Sequence, residues 1–313
     1  MYVYETRLYD RDMKTLLKIL LLTPMAFSIS SCKNKKADPI PVDVVLISGQ
    51  SNGVGCTASK YIKDTLGEDK YNEYMSGYPE IQIAFDSWTK DYEANPPIFY
   101  SQNKSKDDDF MKVMLGQGNS LASFGPEIGI AEQLHEKYNG KLFLIKFACG
   151  ASNLKDDWLQ RKSAMYRRLI NYVKKQMENL TSKGYIPTIK AMCWMQGEGD
   201  SYDGYYQEYY DNTKSFVGNL REDLKELSGN KDFSFIDAGI NNSSMWQYYA
   251  EVNEAKKKFA DESDNNVYID TIAAGLHTNK ESNYGDQDAH YDSDSQVKLG
   301  NLFAEQIDKF LSK

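Results

Sequence analysis

Apolar runs of strand length alternate along this chain with longer segments in which apolar residues recur every three or four positions. The runs Val42–Ile47, Lys141–Phe147, Thr188–Met195, Phe233–Asp237 and Asn266–Asp270 predict strands. They are near-continuous rather than alternating, as expected of strands covered on both faces. The intervening segments Pro126–Lys137, Ala164–Leu180, Tyr206–Leu227 and Trp246–Ala260 predict helices, and Ser293–Leu311 predicts a last one. In the first of them Ile128, Ala131 and Leu134 mark a single helical face. Strands that alternate with helices predict an α/β fold with a parallel sheet between two helical layers.

Residues 57–124 break this rhythm. They are rich in Tyr, Asp, Lys and Asn and hold one strand-like stretch, "EIQIAF", Glu80–Phe85. A long insertion in a compact domain is usually a lid or binding loop. The segment reads as a substrate-side insertion, with decorative packing as the other reading.

The N-terminus reads as a targeting segment rather than part of the fold. "MKTLLKILLLTPMAFSISSC" begins at Met13, with Lys14 and Lys18 before an apolar run, Leu16–Phe27, too short for a bilayer-spanning helix. Met13 is therefore the expected true start. Ile29-Ser30-Ser31-Cys32 resembles the lipobox of bacterial lipoproteins, which implies cleavage before Cys32 and lipidation of its thiol. Lys33 after the cysteine implies an outer-membrane destination in the bacterial cell envelope. A cleaved secretory peptide with an incidental cysteine is the alternative. The charged, proline-bearing stretch after Cys32 reads as a tether. The expected division is thus a signal segment over 1–31, a tether over 32–41 and one domain over 42–313.

Composition narrows the function. Among 313 residues, 45 acidic side chains outnumber 37 basic ones, giving a net charge of -8. That balance argues against a nucleic-acid partner, which needs a basic face. The 23 tyrosines either fill half-buried positions or line a carbohydrate or peptide surface. Cys56, Cys149 and Cys193 show no C-x-x-C spacing, so no metal or redox centre is expected, and no cofactor. Cys149 and Cys193 stand in apolar runs and read as small core residues.

Candidate chemistry begins at "LISGQSNGVG", Leu46–Gly55. Ser51 follows the first strand of the domain, and Gly49 permits a sharp turn before it. It is either a nucleophile on a strand-to-helix turn or an ordinary loop serine. "GQSNG" matches the G-x-S-x-G elbow, but the α/β-hydrolase elbow comes after several strands, not the first. Only three histidines are available as its base. His135 lies on an amphipathic helix and reads as a surface residue, and His277 reads as a loop residue. His290, in "GDQDAHYD" with Asp286 and Asp288 close by, is the best base, since a carboxylate can hold a histidine tautomer. Two further strand ends, "IKFACGAS" at Gly150 and "CWMQGEGD" at Gln196, offer donors for a developing oxyanion.

Taken in order, "GQSN", "FGPEIGIAEQL", "KFACGAS", "WMQGEGD" and the late "HYD" resemble the SGNH-hydrolase superfamily. Within it the match is to the carbohydrate esterase group of sialate O-acetylesterases and acetyl xylan esterases. The resemblance implies a three-layer α/β/α sandwich of flavodoxin-like type. It implies Ser51 as nucleophile, His290 as general base, and an oxyanion hole of the Ser51 N–H, the Gly150 N–H and the Gln196 side chain. The substrate implied is an acetylated glycan, without metal. Gln287 stands three residues before the histidine, where this superfamily commonly carries the triad acid. Asp288 is the preferred acid, with Asp286 and Glu198 as competitors, although Glu198 reads more as a brace for its loop. The competing readings are a non-catalytic glycan-binding lipoprotein on the same fold and an α/β-hydrolase-type lipase or peptidase.

Overall fold

The computed structural model describes residues 38–278, 280–281 and 288–312. In chain order the strands are β1 (Ile40–Gly49), β2 (Thr57–Ala58), β3 (Tyr78–Asp91), β4 (Ile98–Lys104), β5 (Met111–Val113), β6 (Ser123–Phe124), β7 (Leu142–Gly150), β8 (Tyr185–Met195), β9 (Ser234–Ala238) and β10 (Asn266–Ile269). The helices are α1 (Ser51–Val54), α2 (Ile62–Thr65), α3 (Glu68–Ser76), α4 (Glu127–Leu134), α5 (Ala164–Ser182), α6 (Glu198–Tyr202), α7 (Tyr209–Asp223), α8 (Tyr249–Ala260) and α9 (Ser293–Leu311).

The main sheet has the order β10-β9-β8-β1-β7-β3-β4, with β5 also on β3. Pairing is parallel from β10 to β3, whereas β4 and β5 join antiparallel. β2 and β6 form a separate short antiparallel ladder. Every residue of β7 is buried, which explains its unbroken apolar reading.

Two neighbours in β7 define the layers, because successive side chains of a strand point to opposite faces. Phe147 packs on Tyr172 of α5 at 5.7 Å between ring centroids and on Trp158, which in turn meets Trp194. Trp194 lies 4.8 Å from Phe216 of α7. Lys146 turns the other way and pairs with Glu127 of α4. α4 crosses α9 so closely that a Cβ on Gly300 would stand 2.2 Å from the Pro126 carbonyl oxygen. Helices α5 and α7 thus cover one face and α4 and α9 the other, the three-layer α/β/α sandwich expected.

Two expectations change. The segment read as one helix over 206–227 is α7 between short 3-10 turns at Tyr205–Glu208 and Glu226–Ser228, bounded by left-handed Gly204 and Gly229. The segment read as an insertion is in part sheet: β3 runs beside β7 from Gln82↔Phe143 to Thr89↔Gly150. The apolar signal ends at Phe85 because the rest of β3, "DSWTKD", pairs with the exposed strand β4 at the edge. Among the described residues no helix is long and apolar enough to cross a membrane.

Candidate active site

The parallel strands place their carboxyl ends together, and β1 lies between β7 and β8. Connections leave β1 and β8 toward opposite edges of the sheet, so the crevice opens at the ends of these strands. Gly49 is level with Ala148 of β7 and with Met195 of β8. Its φ is +133°, and a Cβ there would lie 2.0 Å from the Met195 carbonyl oxygen. Only glycine fits this turn. The Gln50 N–H then donates to that same carbonyl at 2.8 Å, and α1 begins at Ser51. Ser51 is 9% exposed.

Asn52 ties this turn to the segment around His290. Its Oδ1 accepts the Tyr291 N–H at 3.1 Å, and its Nδ2 reaches the Ala289 carbonyl at 3.5 Å. The residue after Ser51 therefore holds the backbone on both sides of His290. Thr57 Oγ1 donates to the Tyr291 carbonyl at 2.7 Å, and Gln296 Nε2 to the Asn52 carbonyl at 3.1 Å, closing the clamp. His290 is buried, and desolvation lowers its pKa to about 4. Its imidazole is neutral at physiological pH, the form a base requires.

Of the three candidate acids, Asp288 is exposed on the turn before His290. Asp286 lies outside the described residues. Glu198 is wholly buried and takes the brace role: its Oε1 accepts from Asn52 Nδ2 at 2.8 Å, and its Oε2 has no partner among the described residues. Burial raises its pKa.

The two expected oxyanion donors flank the Ser51 turn. Gly150 ends β7 level with Thr89 of β3, and Ala151 after it holds a left-handed φ of 64°, a strained position for a residue with a side chain. Gln196 follows β8. Tyr209 donates to its Oε1 at 2.9 Å, which fixes the amide orientation, and its Nε2 contacts Asp200 Oδ2 at 2.6 Å and Gln50 Oε1 at 3.2 Å. The Gln50 contact is the longer and weaker of the two. Gln196→Ala is expected to lower kcat roughly 10²- to 10³-fold, as for one donor of such a hole, with kcat measured on p-nitrophenyl acetate.

Several positioning groups were not singled out from sequence. Lys146, inside an apolar strand, is fully buried and donates to the Val54 carbonyl at the end of α1 (3.0 Å), the Gln117 carbonyl (2.5 Å) and Glu127 (2.8 Å). It fastens the Ser51 turn to α4 and to the 57–124 segment. Gln50 Oε1 also accepts the Gly199 N–H at 3.0 Å. Asp200, buried and raised to a pKa of about 6 by desolvation, accepts the Leu154 N–H at 2.7 Å and so locks the loop after Gly150. A lone lysine in a buried strand and a carboxylate four residues after Gln196 were the available signals. His135 is half-buried against Tyr78, 4.7 Å between ring centroids, rather than a surface residue, and His277 is an exposed loop residue. Cys149 and Cys193 are buried, with their thiols pushed up by desolvation.

A doubly wound sheet with a serine turn after its first strand and a histidine before its last helix is the architecture of an SGNH-type esterase. The chain belongs to the family described as carbohydrate esterase, sialic acid-specific acetylesterase, whose model matches residues 41–309. It is a carbohydrate O-acetylesterase. Among solved structures, it is similar to a protein from Arabidopsis thaliana (21% identity, TM-score 0.57, covering 86% of this chain and 98% of that one). It is also similar to NanS (14% identity, TM-score 0.58, 88% and 99%). A carbohydrate acetylesterase from Xanthomonas citri matches at 13% identity and TM-score 0.51, over 84% of this chain and 54% of that one. At these identities the likeness is one of fold. The search of curated proteins returned no match.

Proposed function

We propose that this esterase works through an acetyl-enzyme on Ser51 with His290 as its base. Ser51 Oγ attacks the acetyl carbonyl of an O-acetylated sugar as His290 takes the hydroxyl proton. The tetrahedral oxyanion is met by the N–H groups of Ser51 and Gly150 and by Gln196 Nε2. The intermediate collapses with loss of the sugar oxygen, which receives the proton from His290. Water, deprotonated by His290, then attacks the acetyl-enzyme and releases acetate. The observation that carries this reading is the Asn52 clamp, which joins the nucleophile turn to the residues on both sides of the base. In this reading the clamp fixes the backbone on both sides of the imidazole. Acetate release from a panel of acetylated polysaccharides and sialosides tests the reaction; a protein that binds them and releases none contradicts it.

The reading includes a lipid anchor at Cys32 that holds the protein to the outer membrane of the bacterial cell envelope. Cys32 lies outside the described residues, and its support is the sequence: a short apolar run ending in "SISSC", a polar tether after it, and Lys33 in the following position. Wild type is expected in the membrane fraction with an acyl-modified N-terminal peptide, and Cys32→Ala in the soluble fraction. Identical fractionation with no acyl mass contradicts the anchor.

A further inference from the structure

Two exposed aromatic rings stand beyond the carboxyl ends of β3 and β8. Thr89 is level with Gly150, and Tyr92 stands three residues further on, about 10 Å at the rise of a strand. Tyr92 is 59% exposed, and Tyr202, at the end of α6 beyond Gln196, is 71% exposed. The Tyr92 hydroxyl is within electrostatic reach of Tyr202, Asp157 and Asp203. A chain of bonds links residues beside the two rings. Lys90 Nζ donates to both oxygens of Asp157, at 2.9 and 3.1 Å, and Asp157 accepts the Asn153 N–H at 2.9 Å. Asn153 Nδ2 donates in turn to Asp203 Oδ2 at 2.7 Å. The links thus run from two residues before Tyr92 to the residue after Tyr202.

The charge on this wall is one-sided. Lys90 is neutralised by Asp157, and Lys155 by Glu208. Arg168 lies over the Trp88 ring, 4.8 Å from its centroid. Asp91, Glu93, Asp156 and Asp203 have no lysine or arginine ion pair among the described residues. A pyranose ring offers apolar C–H faces that stack on tyrosine and a rim of hydroxyls that donate to carboxylates. A sugar bearing its own carboxylate would meet like charge here.

We propose that Tyr92 and Tyr202 form the sugar-ring subsite of this esterase, and that the subsite takes an uncharged O-acetylated sugar in preference to an O-acetylated sialic acid. The inference rests on the esterase reading and narrows its substrate. The subsite lies in the polar tail of β3 and in the loop after the oxyanion donor, outside the acetyl-transfer groups themselves.

The test compares kcat and KM on acetylated xylo-oligosaccharide and on O-acetyl sialoside, with wild-type turnover of p-nitrophenyl acetate as the check on the esterase reading itself. Loss of wild-type p-nitrophenyl acetate turnover overturns that reading. With that turnover present, wild type is expected to favour the neutral substrate at least 10-fold in kcat/KM. Tyr92→Ala and Tyr202→Ala are each expected to raise KM for it roughly 3- to 10-fold with kcat held, and Tyr92→Trp to restore it. Equal or better turnover of the sialoside, or an unchanged KM in both alanine variants, overturns the subsite.

Discussion

Ser51→Ala is expected to leave a folded protein whose acetyl-ester turnover has fallen by about 10⁴- to 10⁶-fold. The fold survives because the turn does not depend on the hydroxyl. Gly49 makes the bend, the Gln50 N–H is held by the Met195 carbonyl, and the end of α1 is held by Lys146. The chemistry fails because no other hydroxyl stands on this turn between the ends of β7 and β8. Turnover measured beside a thermal melt separates the two effects: an unchanged Tm with activity lost supports the assignment, and near-normal kcat in a folded variant contradicts it.

His290→Gln is expected to be the second large loss, of similar size, because in the proposed mechanism attack and leaving-group protonation both pass through this ring. Glutamine keeps most of the buried volume, so the loss reports chemistry rather than a cavity. The burial of the ring also sets the pH profile. Desolvation disfavours the charged form and lowers its pKa from 6.5 to about 4. The base is therefore active above that value, and the acid limb of kcat/KM is expected near pH 4 rather than near 6.5. Stability follows the same sign. The unfolded chain binds the extra proton between about 4 and 6.5, so this contribution is full above that window and lost as pH falls through it. A limb at the ordinary histidine value would show that the ring is solvated.

The parts that could be read from sequence were those set by local pattern. The buried strands β1, β7 and β8 read as continuous apolar runs because each is covered on both faces, and α9 was delimited at both ends, Ser293 and Leu311. The strand-end positions of Ser51, Gly150 and Gln196 were legible because each follows or ends such a run at a glycine-bearing turn. The rest depends on long-range contact. β3 hides its second half, since pairing with β4 at the sheet edge needs no apolar residues. Lys146 gives no sign in sequence of its partner Glu127, 19 positions away, or of Val54, 92 away. Asn52 reads as one more polar residue of a bend, yet its partners come from Glu198 and from the segment around residue 290. Chain proximity alone favoured Asp288 as the acid, and a spacing of two residues does not specify on which side of a turn a carboxylate falls.

The central claim, an acetyl-enzyme on Ser51 formed with the help of His290, is tested most directly by covalent trapping. The full-length protein is treated with a serine-directed fluorophosphonate, and the adduct is mapped by peptide mass spectrometry while residual activity is followed. A single adduct on the peptide holding Ser51 is expected, formed in step with loss of activity, absent from Ser51→Ala and strongly slowed in His290→Gln. An adduct on a different residue, or full acetyl-ester turnover by protein labelled stoichiometrically at Ser51, would contradict the account.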